Sequence, residues 1–435
     1  MGTITKELLN RYRKNVKKDE KIPVLNAAMA RTEIKDLAYL PTKAAKLNGE
    51  FEVNLKTHGI TAQRKSGRCW LFATMNIMRE KVMEKTGLEK FELSGNFLSF
   101  YDKLEKANNF LEMVIANADK DMDDRMTDYI FSGIGDGGYF DMARDLVKKY
   151  GVVPKECMPE SYQSEHTDKL DEITNTLLKK DAMLLRKAVK DKKDAKKLKE
   201  KFLEEIYRIN VIAFGEPVES FDFSYRDKDG KNFHEDKNIT PKEFYDKYVG
   251  EELDKYITVV NEPMEKRKMY QVYTVHHSCC MTDKTLHSLN LPMDELETMA
   301  IKQLKDNTPV WFACDVGAFG DRKEGVLDPD SFSYEGLLGG ITFDQDKGTR
   351  LISRSSGANH AMVLVGVNFD KNKTPNRWKI ENSWGKDVGK DGYFVCSEKY
   401  FKEFVYEVIV KKEYLSKKAK DALNRPAIEL LPWEI

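Results

Sequence analysis

One thiol, one imidazole and two carboxamides in this chain stand where they could share a reaction. Cys69 lies in QRKSGRCWLFATMN (63–76), where a polar, glycine-containing loop turns into an apolar segment. The first turn of a helix carries about half an elementary positive charge, which favours a thiolate. Arg64, Lys65 and Arg68 add to that charge if their side chains turn inward. A nucleophilic thiol also needs a base and a set of donors for the oxyanion. His360, in SSGANHAMVLVGV, stands just before a strongly apolar run, so a buried strand would hold its ring at the mouth of a cleft. Asn382, in KIENSWG, ends a second strand, and its amide oxygen would accept from the imidazole and fix its tautomer. Trp384, two residues on, would keep water from that contact. Gln63, six residues before Cys69, offers a side-chain NH2 that, with the Cys69 N–H, would meet a developing negative charge. Singly, each has a plainer reading. Free cysteine is among the most buried residue types, and a histidine beside an apolar run is more often structural. With six cysteines and seven histidines, chance pairings are common. The order Gln, Cys, His, Asn, each in its own context, carries the argument.

These residues need elements to position them. In 68–86, Trp70, Ala73, Ile77 and Val82 recur near the helical period, and Gly87 follows as a stop. LSGNFLSFYDKLEKANNFLEMVI predicts a second helix, and TKELLNRYRKNVKK a weaker one near the start. GIGDGGYFDMARDLVKKYG joins a turn at Asp136–Gly138 to a helix ended by Gly151. A lysine-rich stretch, 177–210, predicts one long amphipathic helix; a polar hairpin or loop follows, then a short capped helix in TPKEFYDKYVG. After about residue 306 the pattern changes. TPVWFACDVG, HAMVLVGVNF, RWKIENSW, GYFVCSEKYF and FVYEVIVKK all predict strands. The reading is α+β: an N-terminal helix and extended lead-in (1–60), a helical lobe with the nucleophile (61–156), a large mainly helical insertion (157–300) and a β lobe with His360 and Asn382 (301–412).

By this point the chain resembles the papain-like cysteine peptidases. SGRCW departs from their C-G-[SA]-C-[WY] signature, because Ser66 stands for the first cysteine and Arg68 for the serine or alanine. His360 lies 291 residues after Cys69, against about 130–150 in papain and the cathepsins, so an insertion must lie between. The resemblance is closest to the bleomycin hydrolase and bacterial aminopeptidase C family and covers nearly the whole chain. QRKSGRCWLFA, FELSGNFLSFYDKLEKAN, DGGYFDM, TPKEFYDKYV, VWFACDVG, NHAMVLVGV and ENSWGKDVGKDGYF carry it. It implies a two-lobe papain-like fold with Cys69 as nucleophile, His360 as base and acid, Asn382 as orienter and Gln63 as oxyanion donor. Gly137 and Gly138 match glycines along which a substrate backbone pairs, and Asn359 is a third substrate contact. Tyr139 and Phe140 replace the usual Gln-Trp, and Gly95 a common Gln. The resemblance also implies a homohexamer, with the insertion in its contacts and the tail (413–435) directed toward the active site. In the family the terminal carboxylate holds the substrate's amino group. Here the chain stops at ELLPWEI, short of the usual small-residue end, which favours an oligo- or endopeptidase with an open cleft. The alternative is an aminopeptidase.

Composition narrows the other classes. The 72 basic and 72 acidic residues cancel, which argues against a general attraction to nucleic acid or membranes. The lysine-rich segment 179–201 is interrupted by Asp181, Asp191, Asp194 and Glu200 and reads as a solvated helix face. HHSCC (His276, His277, Cys279, Cys280) lacks the second pair a zinc site would use, so no metal or cofactor is expected. No repeated cysteine spacing, apolar leader or spanning segment is visible, which predicts free thiols in a reducing cytoplasm. A non-catalytic scaffold weighs little with all four identities present. The expected partners are peptide substrates and further copies of the chain.

Overall fold

The computed structural model describes residues 2–250, 253–275 and 286–434. Its central helix, Cys69–Thr86, is mostly apolar and buried on all sides over its first half, from Trp70 and Leu71 through Met78, and keeps Val82 and Met83 buried beyond it. Gly87 ends it at φ +73, a left-handed cap that costs glycine little. The helix packs on the strand His360–Phe369, which brings the thiol and imidazole segments together. Gly95–Ala116, N-capped by Ser94, packs on its other flank together with Phe140–Tyr150.

The lysine-rich segment is two helices rather than one. Asp168–Lys190 and Ala195–Phe214 fold back on each other, with Lys192 at φ +55 and Asp194 capping the second through Lys197 N. Both lay their apolar stripes on Gly95–Ala116, around Phe110, Leu111, Leu178, Leu185, Phe202 and Ile206. The polar hairpin follows as Phe221–Arg226 and Phe233–Ile239, and Thr240 and Glu243 form a reciprocal cap on the short helix after it.

Residues 157–300, expected to be mainly helical, carry their long helices before Phe214; beyond it, helix is limited to short turns between 241 and 255 and the start of Met293–Lys305. Tyr256–Val260, Gln271–Val275 and Leu286–Asn290 are strands, and they extend the sheet of the β lobe. The sheet runs in the order Ile428–Leu430, Gln271–Val275, Leu286–Asn290, Tyr256–Val260, Val405–Lys411, Val310–Cys314, His360–Phe369, Pro375–Glu381, Tyr393–Ser397, Val326–Leu327 and Gly320–Asp321. Val53–Asn54 pairs alongside His360–Phe369. The strand expected over GYFVCSEKYF ends at Ser397, whose hydroxyl caps the helix Glu398–Phe404. No helix among the described residues is long and apolar enough to cross a membrane.

Candidate active site

Cys69 is the first residue of its helix, partly exposed, and lines a cleft of about 690 Å3 together with His360, Gln63, Gly137, Gly138 and Asn359. Its thiol departs from the expectation. Burial raises its pKa above the ordinary value, against the N–H groups of Ala361, Trp70 and Cys69 itself, and the charge of Asp136 adds to the rise. The neighbouring cations do not offset this. Arg64 is mostly exposed and pairs with Glu165 at 3.6 Å. Arg68 is buried and pairs with Glu160 at 2.9 Å, braced by the Ser66 and Ser99 hydroxyls.

His360 starts its strand and is buried. Its Nε2 lies 2.9 Å from Asn382 Oδ1. That oxygen also accepts from Ser383 N at 2.7 Å, so it is the carbonyl end of the amide and His360 Nε2 is the donor. Nδ1 is then the basic nitrogen. Burial pushes the imidazole down to about 4, opposed by the Asn382 hydrogen bond and aided by the Arg322 guanidinium. Trp384 stacks on the ring at 4.6 Å, and Arg322 lies 4.5 Å from the Trp384 centroid on the tryptophan's own face.

The Gln63 carboxamide is held at both ends. Its Oε1 accepts from Ser383 Oγ at 2.7 Å, and its Nε2 donates to Ser66 O at 2.6 Å, which leaves one hydrogen on that nitrogen. Ser383 therefore joins Gln63 to Asn382 and His360 in one chain of hydrogen bonds. Sequence reasoning missed Ser383; its place between Asn382 and Trp384 was the available signal.

The glycine loop is fixed from three sides. Asp136 accepts from Gly67 N at 2.8 Å through its carboxylate and from Trp70 Nε1 at 2.8 Å through its carbonyl. Lys106 donates to the carbonyls of Gly135 and Gly137. Gly138 packs so closely that a Cβ would stand 2.5 Å from the Trp70 ring, while one on Gly137 would meet nothing within 4 Å. Gly138→Ala is accordingly expected to destabilise the protein by about 1–3 kcal/mol, and Gly137→Ala by less than about 0.5 kcal/mol, in chemical denaturation. Asn359 commits its side chain to neighbouring protein groups. Its Nδ2 donates to Asp315 Oδ1 at 2.7 Å and its Oδ1 accepts from Val316 N at 3.0 Å. Its backbone N–H donates to Cys314 O at 3.0 Å, so its backbone carbonyl is what remains for a peptide.

The tail also enters this region. Ile428–Leu430 pairs in parallel with Gln271–Val275, and Pro432 lines the cleft that holds Cys69 and His360. Trp433 packs edge-on against Tyr129 and under the Arg125 guanidinium, 4.5 Å away, and Arg267 donates to the Glu434 carbonyl. The HHSCC segment and Ile435 lie outside the described residues. Among the described residues no group of His, Cys, Asp and Glu side chains is placed to hold a metal.

The family model described as the Peptidase C1-like family matches residues 3–435. Aminopeptidase C of Listeria monocytogenes is 40% identical over 433 residues, covering 99% of this chain and 98% of that protein. Aminopeptidase G of Lactobacillus delbrueckii subsp. lactis is 41% identical, with the same coverage of both chains. The crystal structure of PepW from Lactobacillus rhamnosis superposes with a TM-score of 0.96 at 37% identity, covering 100% of this chain and 98% of that one. A match over essentially the full length, joined to this fold, places the chain in the Peptidase C1-like family, as a cysteine-type peptidase with the papain-like α+β fold.

Proposed function

We propose that the protein is a thiol aminopeptidase in which Cys69 attacks the peptide carbonyl and His360, oriented by Asn382, handles the proton. Burial disfavours either charge alone, but a proton passed from Sγ to the imidazole creates two opposite charges side by side, each offsetting the other's desolvation. Gln63 Nε2 and the Cys69 N–H receive the oxyanion, and protonated His360 gives its proton to the leaving amine. Water activated by the same imidazole then releases the acyl enzyme. Trp384 shields the His360–Asn382 contact, and Gly137, Gly138 and the Asn359 backbone line the substrate's path.

Both aminopeptidase and endopeptidase use this chemistry. The sequence favoured the second, because the tail looked short. Relatives named aminopeptidase C and G, which the chain spans almost end to end, favour the first. The observation that carries the reading is Pro432 in the lining of the cleft, behind a strand that anchors the tail there. A segment lying in the cleft limits how far a peptide extends beyond the scissile bond.

The test is one peptide prepared with a free and with an acetylated N-terminus, with products read by mass spectrometry. Stepwise loss of single residues from the free form alone is expected; internal cuts in both forms would restore the endopeptidase. The reading also carries a homohexamer in a reducing cytoplasm, by resemblance to the family.

The imidazole predicts the acid limb. Protonated His360 cannot take the thiol proton, so kcat/KM should fall as pH drops through about 4, not near the ordinary 6.5. The folded pKa is below the unfolded one, so this group's share of stability is whole above about 6.5 and is lost as pH falls toward 4. An acid limb centred near 6.5 in a pH–rate profile would contradict this.

A further inference from the structure

Glu407 is 6% exposed, lies on the strand Val405–Lys411, and lines the cleft that holds Cys69 and His360. The strand bulges just before it. Val405 pairs with Cys314 and Glu407 with the next residue, Ala313, so Tyr406 is the extra residue. A bulge of this kind re-aims a side chain, and Glu407 and the small Ala313 opposite it both line the cleft. Its Oε1 finds no hydrogen-bond donor among the described residues.

The carboxylates around it are all supplied with donors. Asp141 accepts from Arg144 Nη1 at 2.7 Å and from His287 N at 3.1 Å. Glu262 pairs with Arg267 at 3.0 Å, and Asp315 accepts from Ser356 Oγ and Asn359 Nδ2, each at 2.7 Å. Lys106, a cation in the cleft lining, is engaged by Asp102 and the glycine-loop carbonyls. Burial raises the Glu407 carboxyl to about 8, and the charges of Asp141 and Glu262 add to the rise. A second cavity of about 910 Å3 meets the cleft at Glu407, Tyr139, Ala358 and Asn359, so Glu407 stands in the wall between the two. A buried carboxyl oxygen without a donor is costly to keep unless a donor arrives there, and a cationic donor would also favour the ionised form that burial and the neighbouring acids disfavour.

We propose that Glu407 is a specificity-determining residue that receives a cationic group of the peptide, either its N-terminal ammonium or a lysine or arginine side chain, a role that rests on the peptidase reading above. The cation completes the hydrogen bonding of Oε1 and holds the peptide with its scissile bond toward Cys69.

The experiment uses peptides with arginine or norleucine in the first two positions, each with a free or acetylated N-terminus. Binding to the Cys69→Ala protein is measured by calorimetry with and without Glu407→Gln, and kcat/KM is measured with Cys69 intact. The Glu407-containing protein should prefer the cationic form by at least about tenfold, and Glu407→Gln should remove that preference. Arginine preferred whatever the N-terminus assigns the side chain; free N-termini preferred whatever the side chain assigns the ammonium. Equal affinity for all four peptides in the Glu407-containing protein overturns the proposal, and that result does not depend on the variant folding. Loss of affinity for all four alike in Glu407→Gln also overturns it. Cation-selective binding without cleavage would sink the peptidase reading and leave Glu407 standing, whereas cleavage without cation preference would do the reverse.

Discussion

Cys69→Ala is expected to lower kcat by at least about 10^4-fold while the protein still melts cooperatively near its original temperature. The magnitude is that of losing a nucleophile outright; on the proposed mechanism, what survives is the contribution of Gln63, the N–H at position 69 and binding in the cleft. The fold should tolerate the change. Cys69 is partly exposed at the start of its helix, so removing one sulfur atom leaves little buried cavity. Cys157 is the other partly exposed thiol among the described residues, and burial with the charge of Glu156 raises it to about 11, so it offers no replacement thiolate. Turnover measured by single-turnover kinetics on a free-amine peptide is the check. Activity above about 1% of the original would remove Cys69 from the role of nucleophile.

The second large effect is on stability. Arg79, on the helix that Cys69 begins, pairs with Glu381 at 2.9 Å and with Glu80 at 2.7 Å, and Arg79 and Glu381 are each 2% exposed. Glu381 directly precedes Asn382, so this ion pair ties the helix of Cys69 to the strand that presents the imidazole's partner. Arg79→Met would strand a buried carboxylate and should cost about 3–5 kcal/mol in urea unfolding. Adding Glu381→Met should recover most of that loss, because the expense lies in the unpaired charge and not in the absence of the pair. A single variant within about 1 kcal/mol of wild type, or strictly additive losses in the double, would show that the pair is not the tie described here.

The sequence made the candidate groups that the cleft brings together visible because their neighbours differ so sharply in polarity. Cys69 at a loop-to-helix junction and His360 before a continuous apolar run are local signals, and the long helices around them have the expected period. What local pattern could not show was pairing. The lysine-rich run looked continuous because Asp191–Asp194 is as polar as the helix faces on either side, although Asp194 is itself a capping signal. Tyr256–Val260 and Gln271–Val275 are rich in β-branched residues, yet they are only five residues each and sit far from the strands they join. The raised thiol pKa was out of reach as well, since the helix terminus can be read locally while burial depends on the whole cleft. Glu407 gave no signal, being one acid in an apolar strand whose bulge appears only once Val310–Cys314 lies beside it.

The sheet has a consequence for how this enzyme can be cut down. Val405–Lys411 carries the floor of the site, and its outer neighbour, Tyr256–Val260, comes from the middle of the long insertion. Deleting that insertion to recover a minimal peptidase would turn VYEVIVK into a bare, mostly apolar edge, the kind of surface on which chains stack into aggregates. The extra segment is thus part of the sheet that backs the cleft, not an appendage to it.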